Sequence, residues 1–263
     1  MKKRLPAGLL VEGNATASQL LRMPGLVNQI GPVKSTDLRV ARRFSNGLRA
    51  GHAVASYEEL QESSLVLIRV PDDSLARVAE EICKSDLALR RMCFAVCETW
   101  APSSMLSALR EAGASVTTLL LISEPESACF VAEGDLSAVR QVRNLVETSG
   151  GRVLQIRSGY KSLYFTADLL ATTLPIPFLI AAQASLRQAG LSGKLLSSVL
   201  NQFSGKLLRN LKAGSRVASL GTMAAVSPEI CAAYLADASE KMPEIAMMLD
   251  EHLPRNRESV SEI

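Results

Sequence analysis

Aromatic side chains are scarce in this chain: 4% of 263 residues, with a single tryptophan. Proteins that stack the bases of single-stranded nucleic acid need several rings, so that class is disfavoured. Histidine occurs only twice, as His52 and His252, both in polar surroundings. No imidazole set for zinc follows, and no histidine base for a serine or cysteine hydrolase. The five cysteines are odd in number, irregularly spaced and without a CxxC pair. They read as small apolar side chains in a reducing compartment, the cytoplasm. The net charge of +3 is too small to call for nucleic acid or an anionic membrane. The apolar core of the N-terminal stretch, about five residues, is shorter than a signal sequence needs.

Against these absences stands a hydrophobic content of 48%, enough for a sizeable core. The segment Ser63 to Cys83 is the most informative. Leu65 to Val70 is a short apolar run, rich in strand formers and stopped by Pro71-Asp72-Asp73. A helical pattern follows, with Leu75, Val78, Ala79 and Ile82 on one face. A strand buried on both faces, a tight turn and an amphipathic helix make the unit of an open parallel sheet. Such sheets bind ligands at the carboxyl ends of their strands, here Val70, Pro71 and Asp72.

The same alternation fills the first ~155 residues. Strands are predicted at Gly8–Glu12, up to Lys34, and at Ala53–Ala55, Met92–Cys97, Val116–Ile122, Ala128–Ala132 and Arg152–Ile156. Thr36-Asp37 caps a helix running to Arg49. Ala15–Arg22, Pro102–Ala112 and Asp135–Thr148 are further helices. Beyond Arg157-Ser158-Gly159 no strand pattern recurs. The fold class is therefore α/β, a mainly parallel sheet domain over 1–157, followed by an all-helical domain over 158–254 and a disordered polar tail over 255–263. Leu163 to Leu186 has the length of a membrane span, but Asp168, Pro175, Pro177 and Gln183 interrupt it. A kinked helix buried in a soluble domain or a dimer is the better reading. A stretch this apolar predicts a homodimer through the helical half.

Three stretches carry a resemblance: LVLIRVPDDSLARVAEEI, then CFVAEGDLSAVRQVRNLVETSGGRVLQI, then KSLYFTADLLATTLPIPFLIAAQASLRQAGL. The chain resembles a family of Rossmann-like oxidoreductases with a 6-phosphogluconate-dehydrogenase-like C-terminal domain. That family is related in plan to pyrroline-5-carboxylate reductase, ketopantoate reductase and hydroxyisobutyrate dehydrogenase. The resemblance implies a Gly-x-Gly-x-x-Gly phosphate turn at Val11 to Thr16, where only Gly13 is kept. Asn14, Ala15 and Thr16 are small or tolerant enough to line such a turn, whereas the Glu12 carboxylate would repel phosphate. It implies adenosine recognition at Lys34 and Ser35. No acid stands there and Arg39, Arg42 and Arg43 follow, so NADP is expected over NAD. A solvated basic helix face accounts for those arginines equally well.

The resemblance further implies cofactor contacts at Val70, Pro71 and Asp72, and a substrate side at Glu98 and Thr99, with a plain loop carboxylate as the alternative for Glu98. It implies catalytic roles for Lys161 and Tyr164, which share a helix face at i and i+3 and would handle the proton accompanying hydride transfer. The plain alternatives are a surface lysine and a packing tyrosine. Arg69, a charge within an apolar strand, must be paired or face a cavity. It binds an acidic ligand or neutralises Glu12 or Glu98. Two readings follow. One is an NADP-dependent oxidoreductase acting on a small acidic carbonyl, imine or hydroxy substrate. The other is a catalytically silent scaffold or sensor that has lost the glycine fingerprint. No metal site is expected.

Overall fold

A computed structural model describes residues 7–12, 20–123, 128–213, 227–243, 245, 247 and 248. Gly13, Asn14, Ala15 and Thr16, where the phosphate turn is expected, lie outside the described residues, as does the tail from 255 to 263.

Eight strands form one sheet in the order β3-β2-β1-β4-β5-β6-β7-β8. They are β1 (Ala7–Val11), β2 (Ile30–Lys34), β3 (His52–Val54), β4 (Leu65–Arg69), β5 (Cys93–Cys97), β6 (Ser115–Ser123), β7 (Cys129–Gly134) and β8 (Arg152–Gln155). All neighbours run parallel except β6 and β7. The first six strands thus have the doubly wound order 3-2-1-4-5-6, whose direction of winding reverses between β1 and β4. Gly134, with φ 142°, ends β7; a Cβ there would lie 2.4 Å from the Val116 carbonyl oxygen. Only glycine lets β7 approach β6 so closely at this point.

Helices cover both faces of the sheet. They include α1 (Pro24–Val27), α2 (Leu38–Leu48), α3 (Leu75–Lys84), α4 (Ser107–Glu111) and α5 (Leu136–Thr148). Asp37 caps α2 as expected, its carboxylate accepting from the Arg39 amide at 2.7 Å. In α3 the buried residues are Leu75, Val78, Ala79 and Ile82, the face read from the sequence. One core packs α5 on β1, β5 and β7, and a second packs α3 and α4 on β4 and β5. Two local differences appear. Of the helix expected over Ala15–Arg22 only a 3₁₀ turn, Leu20–Arg22, lies within the described residues, and Pro24 then opens the short α1, because its missing N–H is no loss at the first helical position. The Pro102–Ala112 helix starts as a 3₁₀ turn, Ser103–Leu106, before α4.

After β8 the described chain is helical: α6 (Lys161–Asp168), α7 (Ile176–Gln188), α8 (Gly193–Ala213) and α9 (Pro228–Lys241). The proline break takes the form of a π turn at Leu169–Thr173, closed by the Leu174 amide donating to the Leu169 carbonyl. Pro175 has no amide to continue an α pattern. The chain divides into two compact units, Met1–Ala167 and Asp168–Ile263. Most of α6 therefore belongs with the sheet, ten residues past the linker read at Arg157-Ser158-Gly159; Lys161 supplies the reason below. Lys161–Gln188 is long and apolar enough to cross a membrane by length and composition, and its most apolar window is not buried within the chain.

Candidate functional site

The site is built on the carboxyl ends of β1, β2, β4 and β5, beside the point where the sheet winding reverses. Open α/β sheets leave their ligand crevice there because the flanking loops diverge to opposite faces. At the end of β2, Ser35 is buried and its hydroxyl donates to the Val11 carbonyl at 2.7 Å. The Lys34 ammonium, expected to face a ribose phosphate, is turned inward. It donates to the Ser35 carbonyl and lies 4.9 Å from the centre of the Tyr57 ring. Burial of its stem and the ring face hold it there. Arg39, Arg42 and Arg43 of α2 are exposed, and none of them pairs with a carboxylate among the described residues.

Arg69 and Glu98 sit on neighbouring strand ends. Arg69 Nε lies 3.4 Å from Glu98 Oε2, close enough for an ion pair, yet Nε makes no hydrogen bond. The distance and the missing bond are compatible: the charges attract, but the N–H does not point at the carboxylate. Glu98 also accepts from the Leu20 amide at 2.7 Å. Its backbone is left-handed, φ 56°, which costs a non-glycine residue about 1–2 kcal/mol and turns the carboxylate back over the sheet edge. Glu12 is taken by Arg77 of α3, which also holds Glu81. Of the two partners read for Arg69, the structure selects Glu98.

Val70 is buried, while Pro71 and Asp72 are exposed at the start of a 3₁₀ turn, Asp72–Ser74. Asp72 accepts from the Thr99 hydroxyl at 2.6 Å, and that hydroxyl oxygen accepts from the Ala101 amide. Thr99 joins these strand ends to Lys161. The Lys161 side chain, 3% exposed, donates to the carbonyls of Thr99 and Ala101, both at 2.7 Å, and to the Thr118 hydroxyl at 2.9 Å. All three ammonium hydrogens are accounted for. Lys161 is thus a buried pin fixing the start of α6 to the sheet, not a surface residue. Burial pulls its pKa down to about 8, against the opposing charges of Glu133 and Asp72.

Glu133, 1% exposed on β7, completes the arrangement. It accepts from the Ser103 amide and hydroxyl at 2.8 and 2.9 Å and from the Gly159 amide at 2.8 Å. Burial alone would raise its carboxyl pKa; these donors and the Lys161 charge outweigh it and hold the group below the usual range. The Cys97 thiol at the end of β5 is fully enclosed and its pKa is pushed up, so it is an inert core group.

Above this network lies an aromatic cluster. Trp100, 42% exposed, meets Phe165 edge-on at 5.2 Å and Tyr164 at 6.2 Å between ring centres. Tyr164 is half-buried. A cavity of about 440 Å³ opens beside Trp100 and Phe165, lined also by Pro102, Ser104, Gly159, Lys161 and Ser162. Glu133 and Trp100 escaped the sequence reading. Glu133 carries the signal that singled out Arg69, a charge inside an apolar strand. Trp100 follows Glu98-Thr99 as the one tryptophan of the chain. Among the described residues no cluster could hold a metal ion.

The fold, a Rossmann-type sheet followed by a helical C-terminal region, is one that the chain shares with solved oxidoreductases. The chain is similar to protein TM1727 from Thermotoga maritima, at 17% identity over 97% of this chain and 98% of that one, TM-score 0.61. It is similar to a variant imine reductase from Myxococcus stipitatus solved with NAD+, at 13% identity, 99% and 95% coverage, TM-score 0.66. A pyrroline-5-carboxylate reductase from Coxiella burnetii matches at 13% identity, 97% and 98% coverage, TM-score 0.56. No family model matches the sequence, and none of the curated proteins does.

Proposed function

We propose that the protein is a cytoplasmic oxidoreductase using a nicotinamide dinucleotide, NADP in preference to NAD, on a small carbonyl, imine or hydroxy compound. The observation that carries the reading is a lined cavity at the carboxyl end of β5, on a sheet of 3-2-1-4-5-6 order. The full-length similarity to oxidoreductases solved with NAD+ or NADP+ supports it. The residues present fit the cofactor in three respects. Glu12 and Glu98 are each neutralised by an arginine. Arg69 Nε is a buried donor without a hydrogen bond at the strand edge. Arg39, Arg42 and Arg43 are free to meet a ribose phosphate. Pro71 and Asp72, exposed beyond the end of β4, would border the cofactor, and Tyr164 would be the proton donor or acceptor. When bound, the cofactor supplies or takes a hydride. In the reducing direction the substrate C=O or C=N would take the hydride on carbon, and Tyr164 would deliver the proton to its oxygen or nitrogen.

One observation favours the silent-scaffold reading. Glu98 already occupies a backbone amide at the sheet mouth, where a helix-start amide would otherwise be open to an anion. Thermal unfolding with NADPH, NADP, NADH and NAD decides between the two. Ligand at 100 times its Kd stabilises by about 2.7 kcal/mol, roughly 5–11 °C at 2–4 °C per kcal/mol. A shift largest with NADPH is expected. No shift with any of the four would leave the scaffold.

We further propose that the helical unit pairs with a second copy of the chain. Leu170, Leu174, Ile180, Leu195, Leu207 and Leu208 are all more than half exposed, and pairing would take such apolar side chains out of water. Asp168, Pro175, Pro177 and Gln183 favour a protein partner over lipid. Equilibrium sedimentation without detergent should give the mass of two chains; a monomer, or a protein soluble only in detergent, would overturn this.

A further inference from the structure

The chemistry of the cavity beside Trp100 narrows its ligand. Three features bear on charge. Lys161 lines the cavity, but its three hydrogens are committed to Thr99, Ala101 and Thr118, so no donor is left for a ligand carboxylate. A buried ammonium next to the cavity disfavours a cationic ligand as well. The Glu133 carboxylate nearby compensates that ammonium, so the walls present little net charge to an anion. Arg69, the other group that suggested an acidic substrate, is not among the residues that line the cavity. What the cavity does offer is the half-exposed faces of Trp100 and Phe165, the Pro102 ring, and two hydroxyls, Ser104 and Ser162. At about 440 Å³ it has the size of a small-molecule site, and apolar walls with few polar groups are the usual make-up of one.

We infer that this cavity receives an uncharged, planar or cyclic apolar group of the ligand, stacked against Trp100 and Phe165 and oriented by Ser104 and Ser162. The substrate expected to be acidic is on this account neutral. The inference deepens the oxidoreductase reading, on which the word substrate rests; the cavity's preference for a neutral ring does not depend on it.

Trp100 is the sole tryptophan, so its emission reports on this cavity alone. The full chain is titrated with benzamide, benzoate and benzylamine, the same ring carrying no charge, a negative charge and a positive charge, each with and without NADPH. A saturable change with benzamide is expected at concentrations at least about tenfold below those needed for the two charged rings. Phe165→Ala, at an exposed position, should abolish the benzamide response while leaving the melting temperature within about 2 °C of wild type. Benzoate or benzylamine binding as tightly as benzamide, no saturable change with any ring, or a benzamide response untouched by Phe165→Ala would each overturn the inference. The arms separate the two claims. Benzamide binding without any thermal shift from the four dinucleotides keeps the cavity and removes the cofactor reading. A dinucleotide shift without ring binding does the reverse.

Discussion

Lys161→Met is expected to lower the stability of the sheet unit by about 3–5 kcal/mol, since it removes one member of a buried charged network. Methionine fills much of the same space but donates nothing. The carbonyls of Thr99 and Ala101 would lose this donor, the Thr118 hydroxyl would keep only its long contacts to Glu133, and Glu133 would lose its compensating charge. Calorimetry should show the melting temperature falling by roughly 6–20 °C at 2–4 °C per kcal/mol. A proton donor poised at the cavity mouth would behave otherwise, because its removal costs activity and leaves folding intact. An unchanged melting temperature would therefore restore Lys161 as a solvent-facing catalytic group and sink the pin.

The same variant has a pH signature. Burial lowers the Lys161 pKa from 10.5 to about 8 in the folded protein. Between those values the unfolded chain still holds the proton and the native chain has released it. Stability contributed by this group therefore rises with pH across the window. Cys97 and Tyr57 work in the opposite sense, since both pKa values are raised on folding. Their effect is common to wild type and Lys161→Met. The stability gap between the two proteins should widen from about pH 8 to pH 10.

How much of this was legible in the sequence depends on how local each determinant is. The β4–α3 unit was readable because its pattern is short range: an apolar run, a proline stop, then four residues at helical spacing that all become buried. Arg69 was legible as well, since a charge in a buried strand needs a partner. Choosing between Glu12 and Glu98 required knowing that Arg77, one turn into α3, claims Glu12. Lys161 was the least legible. Its acceptors lie 62, 60 and 43 residues away along the chain, and no periodicity records such contacts. The linker position suffered for the same reason. Gly159 and Lys161 look like the start of a new domain by composition, yet their hydrogen bonds run back to Glu133, Thr99, Ala101 and Thr118. The residue that ties this junction together is therefore Glu133, and its replacement is the sharper test of the arrangement.

Glu133→Gln keeps the shape of the side chain and exchanges one acceptor oxygen for an NH₂. The carboxylate oxygens receive donors on both sides: Oε1 from Gly159 N and Ser103 Oγ, Oε2 from Ser103 N. An amide placed here must turn its NH₂ towards at least one backbone N–H, donor facing donor. One buried amide left without a partner costs about 1–3 kcal/mol, and losing the charge opposite Lys161 adds to it, so about 2–5 kcal/mol is expected in all. The acid limb carries the distinguishing result. Folding holds the Glu133 carboxyl below its usual pKa, so the native state binds this proton less readily than the unfolded chain. The stability it contributes is complete above the ordinary carboxylate range, near about pH 4.3, and is lost as pH falls through the lowered native value. Wild type should therefore lose stability more steeply than Glu133→Gln on descending from about pH 5 to pH 3, and the two denaturation midpoints should converge in acid. Parallel curves would mean that Glu133 is already protonated in the native protein. The anchor at Gly159 and Ser103 would then rest on a neutral carboxyl group, and Lys161 would lack the counter-charge assigned to it.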